Sequence, residues 1–62
     1  MSYIVRYRAD GQLHENGAED LATAEQIAER AVAVADRGDV EIVTDGDGRV
    51  FVQWIDGARI GA

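Results

Sequence analysis

The chain has 62 residues, no cysteine, and twelve acidic residues against six basic ones, for a formal net charge of −6. The absence of cysteine excludes disulfides and thiolate metal sites together, and the acidic balance argues against direct nucleic-acid binding, because no basic excess is present to neutralise phosphates. One domain this small exposes much of its surface and has a marginal core, so regular local structure or self-association must supply its stability.

Tyr3 to Arg8 reads as a strand. Tyr3, Val5 and Tyr7 fall on one face and Ile4, Arg6 and Arg8 on the other, at the two-residue period of a half-buried sheet. Two arginines inside this run break any secretory apolar stretch, and no segment has the roughly 20 apolar residues of a membrane span. A soluble, cytoplasmic protein is expected, with no membrane partner.

Asp10-Gly11 is a hairpin-turn signal. Gln12 to Glu15 is a possible short return arm with Leu13 inward, too polar for a full strand, and Asn16 to Asp20 is a loop of small and acidic residues. Thr23 is positioned as a helix N-cap with Gln26 three residues on, Ala22 and Ile27 occupy the staple positions, and Gly38 is placed as a C-cap. The helix is therefore predicted over Ala24 to Arg37.

Ala24, Ile27, Ala28, Ala31, Val34 and Ala35 make one apolar stripe, mostly alanine, that suits close packing on a sheet. Glu25, Glu29 and Asp36 lie within about 40° of one another on another side, and Arg30 and Arg37 share a third direction. Asp39 to Thr44 is a second strand, and Asp45-Gly46-Asp47-Gly48 a turn. Arg49 to Ile55 is the third strand, with Val50, Val52 and Trp54 on one face and Phe51, Gln53 and Ile55 on the other. Gly57 to Ala62 is a short tail.

The order predicts an α+β fold: an antiparallel three-stranded sheet, with a possible short fourth arm, and one helix packed across one face. The third strand is expected between the first and second. Both its faces are largely apolar, so it is central or has its second face covered by a partner.

Catalytic equipment is sparse. His14 is the only histidine, in a polar segment without a nucleophile beside it, and reads as an exposed polar residue. The turn at Asp45 resembles the start of a calcium loop, but Arg49 and Val50 stand at the fifth and sixth positions, where a ligand and a sharp turn are required. A glycine-rich hairpin is the simpler reading. Ser2, Thr23 and Thr44 lie in no nucleophile context. The expectation is no enzyme, no cofactor and no metal.

Ten of the twelve acidic residues fall in four groups: Glu15, Glu19 and Asp20 before the helix, Glu25, Glu29 and Asp36 on it, Asp45 and Asp47 in the hairpin, and Asp39 with Glu41 on the second strand. Carboxylates one helical turn apart are separated by about 5–6 Å, close to the phosphate repeat of a nucleic-acid strand. A rigid body carrying them could occupy a basic groove, with salt-sensitive binding. The plain alternative is a solvated surface.

A small, cysteine-free, acidic chain with a capped helix (Thr23-Ala24-Glu25-Gln26) and three strands ending in Asp47-Gly48-Arg49 resembles the anti-CRISPR proteins of bacteriophages and mobile elements. It is most similar to the one-helix, three-strand members directed against type I systems. The resemblance runs from Tyr3 to Ile55 and is one of layout and charge, so no residue role is carried over by position. It implies a DNA-mimic-like inhibitor docking on a basic, nucleic-acid-binding surface of a CRISPR effector complex. Glu15, Glu19, Asp20, Glu25, Glu29, Asp36, Asp45 and Asp47 are the expected contact residues. A monomer or homodimer is expected. The alternative function is a structural or assembly module that self-associates through its apolar sheet face or an edge strand.

Overall fold

The computed structural model describes residues 2–61; the expectations for Met1 and Ala62, at the ends of the first run and of the tail, lie outside them. Strands β1 (Tyr3–Ala9) and β2 (Gln12–Ala18) form a hairpin, helix α1 (Leu21–Val32) follows, and a single 3-10 turn (Asp36–Gly38) leads into β3 (Val40–Thr44), β4 (Val50–Ile55) and β5 (Ala58–Gly61). The α+β class is as expected, but the sheet has five strands in the order β2-β1-β3-β4-β5, and every pairing is antiparallel.

This order corrects the predicted one. The strand expected in the middle, β4, lies outside β3, because the helix carries the chain from edge strand β2 over β1 and sets β3 down beside β1. The two extra strands come from segments read as arm and tail. Six of the seven residues of β2 are exposed, so this edge strand shows little apolar alternation. All of β5 is likewise exposed.

The helix also starts and stops earlier than predicted. Asp20, not Thr23, is its N-cap: the Asp20 carboxylate accepts the Thr23 amide at 2.8 Å, which places Thr23 inside the first turn. The helix closes at Val32, and Ala35 is already extended (φ −68°, ψ 144°). Gly38 therefore caps no helix, and Asp36 and Arg37 lie off the helix altogether.

One face of the sheet packs on α1. Val5, Val40, Ile42, Val52 and Trp54 meet Ala24, Ala28 and Ala31, with Tyr3, Tyr7, Leu21 and Ile27 at the margin. Alanine on the helix lets the two layers approach closely. Val34, assigned to the apolar stripe, is 62 % exposed, because it lies beyond the helix end.

The pairing of β3 with β4 shifts between Ile42 and Val43: Ile42 faces Val52, but Val43 faces Val50. Phe51 is thus the extra residue of a β-bulge. Cross-strand partners share a face, so Val50 lies on the side opposite Val52 and Trp54, not with them as the plain alternation predicts. The Phe51 ring sits 5.8 Å from that of Tyr3, against a core-margin residue.

Candidate interaction surfaces

Three surfaces are built by this fold: a clasped end, an acidic helix side and an uncovered sheet face.

The clasped end forms where the 3-10 turn meets two hairpin tips. Asp10-Gly11 joins β1 to β2 with φ of 54° and 78°, and Asp56-Gly57 joins β4 to β5 with φ of 52° and 82°; both have the primed geometry that suits two-residue hairpins. The Asp36 carboxylate accepts the amides of Asp10 at 3.0 Å and Gly11 at 2.9 Å. On the other side Asp39 accepts the Asp56 amide at 3.0 Å, and the Gly38 carbonyl accepts that of Gly57 at 3.0 Å. The Gly11 and Asp10 amides hold the Asp36 carboxyl below its usual range. Asp36 is a structural tie rather than the end of a helical ridge.

Four of the eight expected contact residues follow the helix. Glu19 is exposed ahead of it and Asp20 caps it. The Thr23 amide, then its hydroxyl, lowers the Asp20 pKa. Glu25 pairs with Arg59 of β5 at 2.5 Å, and the Arg59 guanidinium lies 5.8 Å over the Trp54 ring, so this pair covers one side of the core. Glu29 is exposed one turn further.

The other four are dispersed. Glu15 is on β2, with its carboxylate 3.6 Å from Arg6 Nε, and Asp36 is in the clasp. Asp45 and Asp47 lie at the opposite end of β3. Asp45 accepts the Ser2 hydroxyl at 3.1 Å. Asp47 accepts the Thr44 hydroxyl, and that bond, then the Arg49 amide, lowers its pKa. Thr44 Oγ1 in turn accepts the Arg49 amide at 3.1 Å, so this turn is closed on its own groups.

The uncovered sheet face escaped the sequence reading in its detail. The registers place three rows across it. The middle row runs Glu15, Arg6, Glu41, Gln53, Ile60; on either side are Gly17, Ile4, Val43, Val50 and Leu13, Arg8, then Ile55, Ala58. Leu13, Val50, Ile55 and Ile60 are each 44–50 % exposed. A shallow hollow of about 450 Å³, open to solvent, lies between Leu13, Arg6 and Arg8 on one side and Glu41, Gln53 and Ile55 on the other. The strand positions on this face carry two arginines and two glutamates, so the whole net charge of −6 lies elsewhere.

His14 lies on the helix side of β2, exposed, with its ring stacked on Tyr7 at 5.2 Å and 12°. Among the described residues no three histidine, aspartate or glutamate side chains are grouped to hold a metal ion, and no helix is long and apolar enough to cross a membrane. Compared with protein-family models, curated protein sequences and solved structures, the chain matches none.

Proposed function

We propose that the protein is a non-enzymatic binding protein whose acidic helix side occupies a basic, nucleic-acid-binding surface of another protein. A type I CRISPR effector is the target class that the resemblance in layout and charge suggests. The observation that carries this reading is the segregation of charge: one sheet face is balanced, and the excess of carboxylates lies off it. Hydrogen bonds lower the pKa of Asp20, Asp36 and Asp47, so these groups stay anionic well into acid. Such a surface steers toward a basic groove and binds more weakly as salt rises.

Glu19 and Glu29 carry the test, because both are exposed and a charge change there spares the cap, the clasp and the Glu25–Arg59 pair. A DNA gel shift with a purified type I surveillance complex should lose its shifted band at near-stoichiometric protein, less so at higher salt. The Glu19→Lys/Glu29→Lys variant, with an unchanged melting curve, should lose this competition. Undiminished competition by that variant sinks the helix side as the contact, and no competition by the parent protein sinks the CRISPR target.

A further inference from the structure

The uncovered sheet face is self-complementary, and we propose that it pairs with the same face of a second copy about a two-fold axis running along the strands between β1 and β3. In a two-layer domain the second face of a sheet is normally buried or polar. Although Val43 on this face is buried, the face offers Leu13, Val50, Ile55 and Ile60, each about half exposed, beside Arg6, Arg8, Glu15 and Glu41.

The register decides the occupant and the axis. A two-fold along the strands exchanges positions on either side of it, so an axis between β1 and β3 places β1 of one copy over β3 of the other, and β2 over β4. Arg6 then meets Glu41 of the second copy and Glu41 meets its Arg6. Glu15 meets Gln53, whose amide donates to a carboxylate, and Leu13 meets Ile55. The two axes one half-step away fail: placed on β1 the axis sets Arg6 on Arg6, and placed on β3 it sets Glu41 on Glu41. A full step away, between β3 and β4, it sets Arg6 on Ile60, and between β2 and β1 it sets Arg6 on Glu15 but overlaps only those two strands of each copy. Sheet twist makes facing strands cross at about 30°, which leaves these correspondences intact close to the axis.

Charge also restricts where two copies of this chain can meet. Two molecules of net charge −6 repel through most of their surfaces and can meet only where each is balanced, and this face is balanced by like numbers of arginine and glutamate. Salt should therefore strengthen the association, since it screens the long-range repulsion more than the partly buried ion pairs. That sign is the reverse of the one expected for docking on a basic partner, so the two proposals fail separately. In this dimer the helices lie on the outside and the acidic sides stay accessible.

Sedimentation of the parent protein over about 10 µM to 1 mM, spanning the affinities of a small interface, should show a monomer–dimer equilibrium that shifts toward dimer with added salt. Arg6→Glu and Glu41→Arg should each be monomeric, by repulsion at both copies of the contact. Mixed in equal amounts they should form a one-to-one heterodimer, because the exchanged charges match again. As a route that leaves the charged row intact, Leu13→Cys mixed with Ile55→Cys should cross-link through a short bis-thiol reagent, with Leu13→Cys alone giving little product. A parent protein monomeric throughout, charge variants that dimerise like the parent, or cross-linking of Leu13→Cys to itself as efficiently as to Ile55→Cys would each overturn the proposal.

Discussion

The carboxylate of Asp36 holds the amide of Gly11, 25 residues away in sequence, at 2.9 Å, and takes the neighbouring Asp10 amide as well. A carboxylate that accepts two backbone donors has its ionised form stabilised by folding. Asp20 is stabilised in the same way by the Thr23 amide and hydroxyl, and Asp47 by the Thr44 hydroxyl and Arg49 amide. All three have folded-state pKa values below the unfolded ones. Their contribution is therefore fully present above the unfolded value of about 3.9 and is lost as pH falls through the lower folded values. Thermal melts should show a falling melting temperature from about pH 4 downward. Asp36→Asn keeps one acceptor but turns an amide donor toward the second N–H, so it should lower the melting temperature at neutral pH and flatten the acid limb. An unchanged acid limb in this variant would show that the Asp36 bonds contribute nothing to it.

Gly38 meets the β4–β5 tip directly: a Cβ there would stand 2.7 Å from the Gly57 nitrogen, on a backbone with φ of 69°. Gly11 has similar φ, 78°, but open space around it. Alanine at Gly11 should cost only the left-handed backbone strain, about 1 kcal/mol. Alanine at Gly38 adds a clash with backbone that cannot rotate away, for a loss of about 1–3 kcal/mol more, or roughly 5–20 °C. Equal losses in chemical denaturation would remove the close contact as an explanation.

The helix start is testable by two alanine substitutions. Asp20→Ala should reduce stability and helical circular dichroism, because the Thr23 amide loses its acceptor. Thr23→Ala keeps that amide and its acceptor and removes only the hydroxyl's bond to Asp20, so it should cost less than Asp20→Ala. The reverse ranking would restore Thr23 as the cap.

Trp54 is 6 % exposed, under the Glu25–Arg59 pair. Trp54→Ala should cost about 3–5 kcal/mol, much of the total for a domain of this size at roughly 0.05–0.15 kcal/mol per residue. Glu25→Gln removes a partly exposed ion pair and should cost no more than about 1 kcal/mol. Urea denaturation of both variants separates packing from charge. A Glu25→Gln loss as large as that of Trp54→Ala would make the ion pair the main element of this side of the core.

What could be read from the chain followed local chemistry. The alternation from Tyr3 to Tyr7 located β1 and its core face, the alanine stripe located the helix surface, and Asp10-Gly11 located a hairpin. The same dipeptide at Asp56-Gly57 signals a second hairpin, a signal that reading residues 57–62 as a tail passes over. What stayed hidden was tertiary. Residues 33–37 are mostly good helix formers, yet the chain leaves the helix because Asp36 is bound to another turn. The bulge at Phe51 leaves no mark on an apolar run in which both alternations look alike. β2 is an edge strand with little to bury, so its composition does not declare it. The acidic set was legible as residues but not as a surface, since its members divide among a cap, a clasp, a closed turn, a sheet row and the helix side.

The tips of two-residue hairpins are ordinarily where a small sheet begins to fray. In this protein both such tips are fastened to one short stretch in the middle of the chain, residues 36–39. The opening hairpin and the closing one share a single point of attachment, so neither can be loosened without disturbing what anchors the other. A chain of this length that divides into a hairpin, a helix and a meander is thereby kept from behaving as three separable pieces.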